Sequence, residues 1–251
     1  MIYYVKSHSL FRMNSAPNII VRHRPHDQRG ITKTAWLDSQ HTFSFGTYSS
    51  AEHMGFRSLR VINEDHIKPG NGFGMHPHAS MEILTYVIQG CLQHQDSLGN
   101  GRTIQTGEFQ YISAGDGIQH SEFNPSNTET AHFLQIWIQP TEKGGTPRYQ
   151  HFDTQQHSVH NRLALLAAPD GQDGSAAIKQ NAQIYFGSLT TDQSLNTQKD
   201  LRYPYAWLQL IKGKLTVENV ALRSGDGIAI EGQPFAITAS EDAEFLLFKL
   251  S

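Results

Sequence analysis

Residues 70–90 read GNGFGMHPHASMEILTYVIQG, and residues 113–124 read SAGDGIQHSEFN. Each stretch carries a pair of side chains that can bind a metal and that lie one residue apart. The pairs are His76 with His78, and His120 with Glu122. Residues i and i+2 of a β-strand point to the same face of a sheet. Two neighbouring strands with these pairs would therefore aim three imidazoles and one carboxylate at a single point.

This ligand set suits a transition metal such as Fe, Mn, Co, Ni, Cu or Zn. Four protein ligands leave coordination positions open for substrate, water or dioxygen, as a catalytic metal site requires. A closed structural zinc site would more often use thiolates, and the single cysteine, Cys91, lies elsewhere. Histidines that only face solvent would explain one such pair, but they explain two glycine-flanked pairs less well. The pattern therefore favours a metal-dependent enzyme.

The composition excludes several other classes of protein. The chain has 251 residues, of which 38% are hydrophobic and 17% charged, so it can bury a core in one large β-domain or two smaller ones. The net charge of −3 and the lack of a basic stripe argue against nucleic-acid binding. No apolar run is long enough to span a membrane, and residues 1–21 lack a signal-peptide core. We expect a cytoplasmic protein without disulfides.

Short apolar runs alternate with turn residues, and long amphipathic helical patterns are scarce, which favours a sandwich or barrel of antiparallel strands. A boundary is expected between residues 140 and 180, where polar loops rich in Gly and Pro occur. The predicted strands are Arg57–Ile62, Glu82–Ile88, Phe109–Ile112 and His132–Ile138 before this boundary, and Gln183–Phe186, Ala206–Ile211 and Phe245–Lys249 after it.

The two halves share a weak internal repeat but differ in their histidines. Residues 88–92 (IQGCL) resemble residues 211–215 (IKGKL), and each is followed by a turn that combines glycine with an acidic residue. This echo suggests a duplicated β-barrel. All 14 histidines lie at or before His160. If the chain is a duplication, only its first half can hold a histidine-based metal site.

Several segments together resemble the pirin family of bicupins. Residues 70–90 look like the first cupin motif and residues 117–124 like the core of the second. The resemblance is closest to bacterial pirin-like proteins described as quercetin 2,3-dioxygenases, and it is specific from about residue 30 to 147. The matching segments are WLDS (36–39), HTFSF (41–45), LRVIN (59–63), GFGMHPH (72–78), MEILTY (81–86), SAGDGI (113–118) and HSE (120–122).

The resemblance implies an all-β bicupin of two stacked barrels. We expect an N-terminal extension over residues 1–17, a metal-binding cupin domain over 18–147 and a degenerate cupin domain without metal over 148–251. In many cupins the glutamate of the first motif, here Glu82, is a ligand. In pirins this role passes to the glutamate after the second-motif histidine. The implied ligands of one divalent metal are therefore His76, His78, His120 and Glu122, with iron as the first expectation.

The resemblance also implies an activity, the cleavage of the flavonol quercetin by dioxygen with release of carbon monoxide. Glu122 would serve both as ligand and as the base that takes the proton of the substrate's 3-hydroxyl. The partners implied are a flavonol and O2, without nucleic acid or membrane, and we expect a monomer because the fused barrels remove one reason to dimerise. An alternative from another class is a redox-sensing regulator that binds a transcription factor or a metabolic enzyme.

Further residues allow two interpretations each. His41 could line the pocket or serve as a hydrogen-bonded structural histidine, and Asn124 could brace the site or form a turn. Phe45, Phe56, Phe73 and Met75 could shape an aromatic mouth or belong to the core. Cys91 is expected to be a buried apolar residue. No spacing assigns a role to His66, His94 or His132.

Overall fold

The computed structural model describes residues 19–153, 160–232 and 234–251 and consists almost entirely of β-strands. The predicted N-terminal extension, residues 1–17, lies outside these residues. The strands up to residue 153 are β1 (Ile20–Arg24), β2 (Gly30–Lys33), β3 (Leu37–His41), β4 (Leu59–Ile67), β5 (Gly72–His78), β6 (Glu82–Gln89), β7 (Cys91–Asp96), β8 (Gly101–Gln105), β9 (Glu108–Ser113), β10 (Ile118–Phe123), β11 (Ala131–Ile138) and β12 (Arg148–Asp153). The later strands are β13 (Arg162–Ala168), β14 (Ala176–Ala177), β15 (Ala182–Leu189), β16 (Ser194–Asn196), β17 (Tyr205–Lys212), β18 (Lys214–Val217), β19 (Val220–Arg223), β20 (Gly227–Glu231), β21 (Ala236–Ala239) and β22 (Ala243–Leu250).

The helical segments of the described residues are single turns of 3-10 helix, at His26–Gln28, Ala51–His53 and Gln172–Gly174. Within the described ranges, no helix is long and apolar enough to cross a membrane.

The strands form two barrels, each made of a seven-stranded and a four-stranded sheet. The first barrel has the orders β12-β9-β6-β11-β4-β3-β2 and β5-β10-β7-β8. The second has the orders β1-β20-β17-β22-β15-β13-β14 and β16-β21-β18-β19. Except for the short parallel pair β13–β14, neighbouring strands run antiparallel. The predicted all-β architecture of two stacked barrels is confirmed.

Two strand pairings cross the predicted boundary between the domains at residue 147. β12 pairs with β9, so the large sheet of the first barrel continues past residue 147. β1 pairs with β20, so the start of the described chain completes the large sheet of the second barrel. The sequence could not reveal that β1 joins the second barrel, because β1 is mostly exposed and lacks an apolar pattern.

The large sheet of the first barrel is buried on both faces, as β6 illustrates. Leu84 and Tyr86 face the second barrel and join a core cluster that fills the space between the two large sheets. Ile83 and Val87 face the interior of the first barrel, where they belong to two separate apolar clusters. Between them, on the same inner face, lies the buried polar residue Thr85. The interior thus has apolar layers on either side of a polar middle layer.

The second barrel has no such polar layer at its centre. Its interior is a continuous apolar cluster that includes Leu208, Ile228 and Leu247 from three neighbouring strands. Burial of this apolar surface stabilises the second barrel. Among the residues that the structure describes, no group of metal-ligating side chains lies inside this barrel. Of the two barrel interiors, as far as the structure describes them, the first is the one with a buried polar layer.

Candidate metal centre

Three of the four predicted ligands meet between β5 and β10. His76 pairs directly with His120 across the two strands, and His78 follows two residues later on the same face. The imidazole centroids are 4.5 Å apart for His76 and His120, 4.8 Å for His76 and His78, and 4.9 Å for His78 and His120. One nitrogen of each ring lies within 4.8 Å of the others. The alternation of strand side chains and the strand register together create this cluster.

The hydrogen bonding of His76 and the protonation of His78 and His120 fit a metal ion. The Nδ1 of His76 lies 2.8 Å from the carbonyl oxygen of Gly74, so Nδ1 donates and Nε2 is free to bind a metal. Burial and the neighbouring imidazoles lower the pKa of His78 to about 4 and that of His120 to about 3. Both imidazoles are therefore neutral at pH 7.

His120 gives the clearest test of this fit. Its side chain is fully buried, and neither ring nitrogen has a hydrogen-bond partner among the described residues. Buried polar atoms without partners are costly and rare in native proteins. A metal ion bound by these three imidazoles would satisfy a nitrogen of His120 without moving a strand.

Glu122 lies in the same cavity, but its carboxylate is not among the atoms that cluster within 4.8 Å. It is almost fully buried and is held by polar neighbours of the middle layer. Gln110 Nε2 donates to Oε1 at 2.9 Å, Thr85 Oγ1 to Oε1 at 3.2 Å, and Gln135 Nε2 to Oε2 at 2.7 Å. Burial raises the pKa of Glu122, while nearby imidazoles and these hydrogen bonds oppose the rise.

Glu82, the ligand that many cupins would use, is held elsewhere. Its carboxylate accepts hydrogen bonds from Tyr111 Oη, from Ser113 Oγ at 2.9 Å and from the backbone N–H of Lys179 at 3.1 Å. Lys179 belongs to the second half of the chain. Glu82 has the same strand parity as Leu84, which faces the second barrel. This carboxylate therefore links the two barrels and is turned away from the histidines.

The histidine cluster opens into a cavity of about 570 Å3. One part of its lining is aromatic, with the indole of Trp137 packed edge-on against His78 at 5.0 Å. The other aromatic lining residues are Trp36, Phe45 and Phe73. A flat aromatic molecule fits such a lining, because planar rings pack well against aromatic side chains.

Another part of the lining is polar. His41 bonds to Thr32 Oγ1 and to Asn63 Oδ1, each at 2.8 Å, and it also lines the cavity. Both interpretations of His41 are therefore correct at once. Asp65, which the sequence analysis missed, lines the cavity with Oδ1 unpartnered among the described residues. Burial raises its pKa to about 7, and the nearby carboxylates of Glu122 and Glu64 add to the rise.

Each remaining residue singled out in the sequence analysis has one clear role or position. Asn124 forms a turn: its Nδ2 donates to two backbone carbonyls, and its Oδ1 accepts from the N–H of Ser126. Phe56 packs against the core between the barrels, and Met75 is 54% exposed. Cys91 is only half-buried, so the expectation of a buried residue was wrong.

His94 lies behind the cluster. It is fully buried, its Nε2 is 3.0 Å from Asp96 Oδ2, and its ring centroid is 5.5 Å from that of His120. It therefore packs against His120 from the interior of the barrel.

Comparison with known proteins agrees with the geometry. The Pirin family model matches residues 22–138, and the model of the quercetinase C-terminal cupin domain matches residues 165–250. The chain is 46% identical over 230 residues to quercetin 2,3-dioxygenase of Escherichia coli (strain K12), covering 90% of this chain and 97% of the relative. It is 36% identical over 235 residues to a pirin-like protein of Caulobacter vibrioides, covering 91% of this chain and 98% of the relative.

Among solved structures, the bacterial pirin YhhW from Escherichia coli in complex with nickel(II) is similar to this chain. It superposes with a TM-score of 0.88 at 45% sequence identity, covering 92% of this chain and 99% of that one.

Proposed function

The chain belongs to the pirin family, and from that premise we propose that it is a metal-dependent dioxygenase that cleaves quercetin with O2 and releases carbon monoxide. The observation that carries the proposal is the cluster of three imidazoles at an aromatic-lined cavity, where no described residue bonds to the buried nitrogens of His120. The relative that is 46% identical bears the name quercetin 2,3-dioxygenase, which supports the choice of substrate.

The proposed metal ligands are His76, His78, His120 and Glu122. Three imidazoles and a carboxylate suit a divalent transition metal, and we propose iron, with nickel as the first alternative because the related YhhW structure is a nickel(II) complex. When bound, the metal supplies a Lewis acid that favours the deprotonated 3-hydroxyl of a flavonol.

Side chains of the protein would carry out the other steps of the proposed reaction. We assign Glu122 as the acceptor of the 3-hydroxyl proton. Its Oε2 accepts one hydrogen bond, from Gln135, and keeps a second lone pair, which can serve the metal or the proton but not both at once. Gln110 and Gln135 hold the carboxylate from two sides, so it meets the substrate in a fixed orientation. The aromatic lining, which includes Trp137, orients the flat substrate and limits the entry of water.

Replacement of Glu122 tests this assignment. We expect Glu122→Gln to fold and to lose quercetin turnover, measured as the fall in substrate absorbance by protein loaded with one metal at a time. The metal content of the same samples separates a lost ligand from a lost proton acceptor. Glu82→Gln is the matched control: it alters a buried carboxylate that links the barrels, so it should reduce stability and leave turnover intact. Unchanged turnover in Glu122→Gln would refute the proton-acceptor role.

Three further expectations remain predictions from the sequence: a monomeric state, a cytoplasmic location, and a division into an extension of residues 1–17 with cupin domains over 18–147 and 148–251. Because β12 extends the large sheet of the first barrel, the proposed boundary is better placed after Asp153 than after residue 147.

A further inference from the structure

A second group of metal-ligating side chains lies on the opposite face of the large sheet from the cavity. Glu64 and His66 are two residues apart on β4, and His132 lies on the neighbouring strand β11. One ligand atom from each lies within 4.8 Å of the others. Asn63 and Asp65 of the same strand line the cavity, so strand alternation turns Glu64 and His66 outward.

This group repeats the strand geometry of the first cluster. His66 pairs directly with His132 across antiparallel strands, as His76 pairs with His120. In each case a third ligand lies two residues along one of the two strands, which places it on the same face. The same backbone pattern therefore produces two three-residue clusters, one inside the barrel and one outside it.

We propose that Glu64, His66 and His132 form a second binding site for a divalent transition metal of the zinc class. Two imidazoles and one carboxylate are a donor set that zinc uses when it keeps an open position. The site is independent of the proposed dioxygenase function, since it shares no residue with the first cluster.

The contacts of the three side chains suit this role. The rings of His66 and His132 stack with centroids 3.9 Å apart and an interplanar angle of 17°, which holds the two imidazoles side by side. The lone pairs of parallel rings do not converge, so one ring must rotate about its Cβ–Cγ bond before both imidazoles bind one ion. His132 Nε2 lies 2.8 Å from Glu64 Oε1. Two ligands of one zinc ion, each about 2.0–2.1 Å from it, stand only slightly farther apart than this. A small opening of the hydrogen bond would therefore admit the ion in place of the shared proton.

The surroundings affect the strength of the site. Arg29 Nη2 donates to Glu64 Oε2 at 2.7 Å, which fixes the carboxylate and leaves Oε1 toward His132. The guanidinium charge opposes a nearby cation, so this site should bind more weakly than the first cluster. Asp38 pairs with His66 in the strand register and adds a negative charge beside it. The glutamate and both histidines are only partly buried, so an ion can reach them.

Zinc stoichiometry tests the proposal without reference to activity. The chain is stripped of metal, equilibrated with zinc(II), freed of excess by dialysis against a weak chelator and assayed for bound zinc. In His76→Ala/His120→Ala, which silences the first cluster, we expect one zinc per chain. Adding His66→Ala should remove it, and adding His66→Gln, which keeps the side chain's polarity, should do the same. His66 is the suitable target because the ion pair between Arg29 and Glu64 remains intact.

His53→Ala in the same background is the matched control, because His53 belongs to neither cluster, and it should retain the zinc. Far-ultraviolet circular dichroism of each variant checks that the fold is kept. The proposal is overturned if the folded double variant holds no zinc, or if its zinc survives both replacements of His66.

Discussion

Removal of the amide of Gln135 probes how the polar layer of the first barrel controls the metal centre. Gln135 Nε2 donates to Glu122 Oε2 at 2.7 Å, and both side chains are buried. Leucine has nearly the same size and cannot donate, so Gln135→Leu leaves that oxygen without its protein donor. A hydrogen bond to a charged group contributes about 1.5–3 kcal/mol. Loss of a partner that orients a metal ligand typically costs about 10- to 100-fold in affinity.

The two magnitudes agree, since a tenfold change in affinity corresponds to about 1.4 kcal/mol. We therefore expect Gln135→Leu to bind nickel(II) roughly 10- to 100-fold more weakly than the wild-type chain. Competition with a chromophoric chelator measures this affinity directly. The assay needs no flavonol, so it tests the assignment of Glu122 as a ligand separately from the choice of substrate.

Gln209→Leu supplies the matched control. Gln209 is a buried glutamine of the second barrel, and its Nε2 donates to the carbonyl oxygen of Gly225 at 2.9 Å. Its replacement should lower the free energy of unfolding and leave nickel affinity unchanged. If Gln135→Leu folds and still holds nickel as tightly as the wild-type chain, the reasoning that Glu122 is a ligand positioned by Gln135 is refuted.

Three other predictions concern stability. Gly72→Ala places a Cβ 2.3 Å from the carbonyl oxygen of Glu122, so β5 and β10 must separate; urea unfolding should show a loss of about 1–3 kcal/mol, and Gly74→Ala, with open space around it, should show none. Burial alone would raise the pKa of Asp226, but hydrogen bonds hold this pKa below its ordinary value of 3.8. The stabilisation of the fold by ionised Asp226 is therefore present above pH 3.8 and is lost as the pH falls through the folded pKa. In urea unfolding at a series of pH values, Asp226→Asn should show a smaller loss of the free energy of unfolding below pH 3.8. Nickel(II) should raise the thermal midpoint of the stripped chain and have a much smaller effect on His120→Ala, because only the wild type offers the complete cluster; equal shifts would argue against the centre.

The candidate ligands of the first barrel were predictable from local sequence because they form local pairs. Two residues one apart on a strand share a face whatever the rest of the fold does. The sequence analysis assumed that the two pairs lie on neighbouring strands, and the pairing of β5 with β10 shows that they do. Sequence alone could not show that the carboxylate of Glu122 is held by Gln110 and Gln135, since these amides come from two other strands of the barrel.

Residues whose roles depend on strand register escaped sequence analysis. His66 and His132 lie far apart in the chain, and only the pairing of β4 with β11 brings them together. Asp65 gave a weak signal, since it follows Asn63 and Glu64 in the middle of a strand flanked by isoleucines. That run of polar residues marks the place where the barrel interior is polar. The pairing of β1 with the second barrel had no comparable signal in the sequence.

Carbon monoxide release tests the central claim most directly. Protein loaded with a single metal would be mixed with quercetin and dioxygen, and carbon monoxide would be measured against quercetin consumed, with His76→Ala/His120→Ala as the control. The account predicts equimolar, metal-dependent release that is absent from the double variant. No release from protein shown to hold each metal would contradict it and would favour a redox-sensing regulator that uses the same histidines.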